Sequence, residues 1–120
     1  MYKHMGFIEL KIVTDFSRTP GVRYKSEGPF SGEEFRKEVL LPKCKDAITN
    51  NCKLKIYLDG TAGLGTSFLE ESFGGLIRED NLDYQLLKDL MCFISEENPD
   101  YIDEINEYMK DAYEKKHEKK

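Results

Sequence analysis

Few residues in this chain have the types needed for covalent chemistry, and their spacing is poor. The histidines are His4 and His117, near the two ends, so a Ser-His-Asp or Cys-His arrangement requires one of them to fold back onto the centre. The cysteines, Cys44, Cys52 and Cys92, are odd in number and none forms a C-x-x-C pair. They are therefore expected to be reduced, small and partly buried, forming neither a disulfide framework nor a zinc site. Glu70 and Glu71 are adjacent carboxylates, but in a helix they point about 100° apart, which suits paired acid–base work badly. The remaining candidates are the hydroxyls of Thr66 and Ser67. They follow a small-residue loop, Gly60, Thr61, Ala62, Gly63, Leu64, Gly65. Such a loop before a helix can cradle an anion, yet it lacks the lysine of a G-x-x-x-x-G-K-[ST] loop and no G-x-G-x-x-G is present. No metal-ligand spacing and no cofactor motif is found, so no cofactor is expected.

The elements that must position Thr66 and Ser67 are legible around them. Leu54, Ile56 and Leu58 alternate with Lys55 and Tyr57, which predicts a strand ended by Asp59-Gly60. Ser67 and Glu70 match the S-x-x-E capping box, and Leu69, Phe73, Leu76 and Ile77 give the following helix an apolar stripe. Gly74-Gly75 inside that helix costs about 1 kcal/mol per residue against alanine, which points to close packing or to a partner's backbone there. The end of a strand followed by a helix N-terminus is where open α/β sheets usually place their sites.

The rest of the chain supplies the frame. Gly6 to Thr14 reads as a strand, and Val22-Arg23-Tyr24 as a short second strand. Ser31-Gly32-Glu33-Glu34 is a capping box before a helix carrying Phe35, Val39, Leu40, Cys44, Ala47 and Ile48. Pro42 predicts a kink or tight break in it near Leu41. Leu82 to Asp89 reads as a short helix, Leu90 to Ile94 as a buried strand, and Pro99 onward as a last helix with Ile102, Ile105, Met109 and Ala112 inward. The order β-β-α-β-α-β-α predicts an α/β domain with a mixed sheet of about four strands and helices mainly on one face.

At 120 residues the chain is expected to form one domain, with a core over residues 7–113 and a polar end at 114–120. Lys115, Lys116, Lys119 and Lys120 read as a solvated helix end suited to the helix dipole. A net charge of −5 argues against nucleic acid as a main partner. No membrane-length apolar run and no signal-peptide pattern is present, which predicts a cytoplasmic protein.

Leu58-Asp59-Gly60, Thr66-Ser67-Phe68-Leu69-Glu70-Glu71-Ser72-Phe73-Gly74-Gly75-Leu76, Ser31-Gly32-Glu33-Glu34-Phe35 and Pro20-Gly21-Val22-Arg23 together resemble the bacterial STAS-like domain family of unknown function. That family is similar to the STAS domains of anti-sigma-factor antagonists. The resemblance implies a non-enzymatic regulatory module with a protein partner of the anti-sigma-factor-like serine kinase or ATPase class. It also implies a switch serine at the start of the helix after a central strand. Ser67, and secondarily Thr66, occupies that place, with Gly60, Gly63, Gly65, Phe68, Glu71, Gly74 and Gly75 as the expected interaction loop and helix. The alternative expectation is a nucleotide or phosphate binder, or an enzyme, using the loop from Gly60 to Ser67.

Overall fold

The computed structural model describes residues 6–117. His4, Lys119 and Lys120 lie outside the described residues. Strand β1 (Phe7–Lys11) is followed by one helical turn, α1 (Ile12–Asp15), and a loop containing a 3-10 turn, Lys25–Glu27. A continuous helical rod over residues 32–50 comprises α2 (Gly32–Phe35), a π-helical turn (Arg36–Leu40) and α3 (Leu41–Asn50). Strand β2 (Lys53–Tyr57) leads through loop 58–65 into a second rod, residues 66–78. This rod is α4 (Thr66–Leu69), a π-helical turn (Glu70–Gly74) and α5 (Gly75–Arg78). Helix α6 (Tyr84–Leu90), strand β3 (Met91–Ile94) and helix α7 (Asp100–Lys116) complete the chain.

The sheet corrects the expectation of a mixed, four-stranded one. Among the described residues it has three strands in the order β1-β2-β3, and both pairings are parallel. The expected strand at Val22-Arg23-Tyr24 is a loop, because its carbonyls serve a helix instead. The Gly32 N–H donates to Val22 O at 2.8 Å and the Glu33 N–H to Arg23 O at 2.9 Å, closing two open amides of the α2 first turn. Ser31 caps a third as its sequence predicts, its Oγ accepting from the Glu34 N–H at 3.0 Å. Strand β1 stops earlier than the apolar run suggests. Asp15 Oδ2 accepts from the Lys11 N–H at 2.8 Å and turns Ile12 to Asp15 into α1, with Ile12 in the core.

Pro42 does not break the first rod. It sits at the second residue of α3, just after the π-helical turn, and the flanking backbone stays helical. The widened turn accommodates the missing N–H and the ring. Asn51, in the left-handed conformation at φ 55°, ends the rod.

One face of the sheet carries the core. Leu10, Leu54, Ile56 and Leu58 are buried under the helices with Phe35, Phe68, Phe73, Leu76 and Ile105. Of the expected core residues, Phe93 and Ile94 are only half-buried. Helix α7 begins at Asp100, with Pro99 as its N-cap, and buries Ile105, Met109 and Ala112. It lies chiefly against residues 70–78 rather than across β3, so a groove lined by Leu87, Met91, Phe93 and Met109 remains beside that strand. The helix extends through Lys116, which is not merely a solvated end. Its Nζ donates to Ile77 O at 2.9 Å, one of the last carbonyls of α5, and to Asn81 Oδ1.

Candidate functional site

Loop 58–65 is tied to the rest of the chain by hydrogen bonds from other elements. Asp59 accepts from the Glu96 N–H at 3.0 Å and the Glu97 N–H at 2.9 Å, and the Glu97 carboxylate accepts from the Gly60 N–H at 3.0 Å. The Ala62 N–H donates to Arg18 O at 2.8 Å and the Leu64 N–H to Tyr101 Oη at 3.0 Å. The amides of Gly60, Ala62 and Leu64 are thus turned toward the protein. Glycine is required at residue 60 by a φ of 95° and at residue 63 by a φ of 153°. The groove beside β3 and a second one between residues 66–78 and α7 are lined by other residues.

The helix begins two residues earlier than its sequence pattern. Gly65 is the N-cap, with φ −76° and ψ 159°, and the first intrahelical bond runs from the Leu69 N–H to Gly65 O at 3.0 Å. Ser67 is therefore the second helical residue, not a cap, and the expected bond from its hydroxyl to the Glu70 amide is not made. Thr66 and Ser67 are exposed, as are Gly63 and Gly65. Phe68, Glu71, Gly74 and Gly75, expected on an interaction surface, are turned inward.

Glu70 fails to close the capping box because arginines from elsewhere hold it. Its carboxylate binds Arg23 Nη1 and both terminal nitrogens of Arg78. Glu71, 3% exposed, accepts from Arg36 Nη2 at 2.9 Å and Arg78 Nη2 at 3.3 Å. Arg36, also 3% exposed, reaches Asp80 Oδ2 with Nη1 at 2.8 Å. Burial alone would lower the Arg36 pKa, but the bonds to Asp80 and Glu71 outweigh it and the net direction is up. For Glu70, burial pushes upward while Arg78 and Arg23 pull harder, leaving it below the ordinary carboxylate value. The Arg36 Nε is buried with no hydrogen-bond partner and lies against Gly75.

The small residues of the segment exist for this packing. A β-carbon at residue 32 would stand 2.8 Å from Phe68 O, so Gly32 lets the two rods touch backbone to backbone. A β-carbon at residue 74 would meet Glu70 Oε2 at 2.7 Å. The buried Ser72 hydroxyl donates to Gly32 O at 3.4 Å. The carboxylates of Glu70, Glu71 and Asp80 around this packing are each engaged by a guanidinium.

Sequence reasoning missed Arg36 and Arg78 as partners of the two glutamates. The available signal was the second buried face of the rod, where Ser72 and Gly75 leave room and Glu71 needs a counter-charge. The His117 ring lies against Tyr113 at 4.4 Å, tilted by 48°, and Cys44, Cys52 and Cys92 form no disulfide. Among the described residues no helix is long and apolar enough to cross a membrane, and no group of His, Cys, Asp and Glu has metal-binding proximity.

Neither curated proteins nor solved structures show a match to the chain. A family model for the STAS-like domain of unknown function (DUF4325) matches residues 31–101, more than half of the chain. The matched span contains both helical rods, the central strand β2, the Arg36–Glu71 pair and the Thr66–Ser67 helix start. The chain belongs to the STAS-like domain family of unknown function.

Proposed function

We propose that this chain is a non-enzymatic interaction module that offers the start of its central helix to a regulatory protein, with Ser67 as a phosphorylatable switch. One observation carries the reading. Along residues 66–77 the side chains of Phe68, Leu69, Glu71, Ser72, Phe73, Leu76 and Ile77 are committed to the interior, whereas Thr66 and Ser67 are exposed. A fixed helix thus presents two hydroxyls at its positive end. Phosphate on Ser67 would add about −1.5 to −2 charges there, where the dipole favours them. The surface would change sharply while the core stayed as it is. The STAS likeness supports a serine-kinase-type ATPase regulator as the partner class.

The partner surface in this reading is Gly60, Gly63, Gly65, Thr66 and Ser67, without the inward-facing Phe68, Glu71, Gly74 and Gly75. The inward-donating amides of Gly60, Ala62 and Leu64 weigh against the phosphate or nucleotide cradle. Co-purification from native lysate with mass spectrometry tests the proposal on wild type, Ser67→Ala and Ser67→Asp. A stoichiometric partner retained by Ser67→Ala and lost by Ser67→Asp is expected, with phosphate on Ser67 in a fraction of the wild type. Equal recovery by all forms would remove the switch. Recovery of no partner, together with a nucleotide-induced rise in melting temperature, would favour the cradle.

A further inference from the structure

Among the described residues, the sheet has a bare side. Strands β1, β2 and β3 step in one direction across it. Right-handed crossovers then place both sets of connecting helices on the same side. Parallel sheets are ordinarily covered on both faces. Here the outer face carries Phe7, Glu9 and Lys11 from β1 and Lys53, Lys55 and Tyr57 from β2, and Phe7 is 55% exposed.

This face is cationic on a chain of net charge −5. Lys55 Nζ lies 4.7 Å from the Phe7 ring centroid and Lys11 Nζ 5.2 Å from that of Tyr57. The Tyr57 hydroxyl donates to Glu9 at 3.0 Å. Glu9 is the face's acid, set against Lys11, Lys53 and Lys55.

The complementary surface is on the same molecule. Asp100, Asp103, Glu107, Asp111 and Glu114 are exposed along α7. At 3.6 residues per turn they fall within about 80° of one another, a single acidic stripe roughly 21 Å long. The strands of the bare face are about 16 Å long, a comparable length. Helix α7 packs on the helices of the inner side, so a copy cannot lay this stripe across its own bare face.

We propose that the bare sheet face is covered by the acidic stripe of α7 from a second copy of this chain. The contact joins unlike surfaces, so it propagates into a ring or an open chain rather than closing as a simple two-fold dimer. Charge pairing supplies the specificity, and the exposed Phe7 ring, at the start of the edge strand β1, contributes apolar area at the rim of the face. The surface is separate from the Ser67 region and does not depend on that reading.

Sedimentation velocity on the full chain tests it. At about 50 mM salt the weight-average mass should rise with concentration above the 14.0 kDa monomer, and at about 500 mM salt association should weaken at least tenfold. Lys53→Glu/Lys55→Glu and Asp103→Lys/Glu107→Lys should each leave a monomer. Mixing these two variants should restore association, because reversed face meets reversed stripe on opposite molecules. The stripe variant changes exposed helix residues, and unchanged melting temperatures confirm that both variants are folded. A wild type monomeric at every concentration, association indifferent to charge reversal, or a mixture that stays monomeric each overturns the proposal. So does a monomeric chain whose bare face instead binds single-stranded oligonucleotide or anionic vesicles in a Lys53- and Lys55-dependent way.

Discussion

Arg36 occupies the space that a side chain at Gly75 would need: a β-carbon there would stand 2.6 Å from Nε and 2.8 Å from Cδ. The glycine and the buried guanidinium are therefore one structural unit. Gly75→Ala must push Arg36 away from Glu71 and Asp80, and is expected to destabilise by about 1–3 kcal/mol despite alanine's better helix propensity. Gly65→Ala is the contrast, since nothing lies within 4 Å of its β-carbon and φ is −76°. It should cost less, no more than about 1 kcal/mol, because alanine is only a poorer N-cap than glycine there. Urea melts of the two variants check this, and equal effects would contradict the packing.

Removing one half of the buried pair should be costly. Arg36→Ala leaves the 3%-exposed Glu71 with only the longer contacts to Arg78 at 3.3 Å and Arg23 at 3.8 Å, and a loss of about 3–5 kcal/mol is expected. Arg36→Met combined with Glu71→Leu should cost distinctly less than either single change, because no uncompensated charge stays inside. A double variant as unstable as the sum of the singles would mean the pair does not couple.

Ser67 is not the cap, so its truncation has little to break. Ser67→Ala should change stability by no more than about 0.5 kcal/mol, and Ser67→Asp should gain about 0.3–1 kcal/mol from the helix dipole. A loss near 1 kcal/mol in Ser67→Ala would restore the capping role that Gly65 holds here.

Acid should weaken the fold through Glu70. Its folded-state pKa lies below the ordinary value of 4.5, so its stabilising contribution is complete above about that pH and is lost as pH falls through the folded value. The urea midpoint should be level between about pH 7 and 5 and decline below about pH 4.5. Glu70→Gln should start lower and show a shallower acid decline. An unchanged acid limb in that variant would place the titration elsewhere.

The thiols should separate by burial. Cys44 is pushed up to about 12, chiefly by burial and secondarily by the charge of Asp80. Cys52 and Cys92 are partly exposed. A brief alkylation at about pH 8 should label Cys52 and Cys92 and spare Cys44, which reacts only on unfolding. Early labelling of Cys44 would mean the first rod opens locally.

Local patterns were legible where local forces decide. The alternation of Leu54, Ile56 and Leu58 gave β2, and Ser31 gave its cap. Ser67-x-x-Glu70 has the same pattern and fails, because Glu70 is drawn to Arg23, 47 residues away in sequence. Arg36 meets Glu71 across 35 residues and Asp80 across 44, separations at which no periodicity speaks. Val22-Arg23-Tyr24 has strand residues, but its carbonyls are claimed by the α2 first turn, a tertiary demand invisible in the segment itself.

Both rods widen into π-helical turns where they face each other, at Arg36–Leu40 and Glu70–Gly74. Each such turn behaves as a helix with one residue too many. Deleting a residue there would relax the rod to an ordinary α-helix and rotate everything beyond it by about 100°. Arg36 could then no longer find Glu71, nor Gly75 lie beneath Arg36. In this fold, length within 36–40 and 70–74 is as much a part of the sequence message as residue identity, and a relative lacking one residue there should lack the charge pair as well.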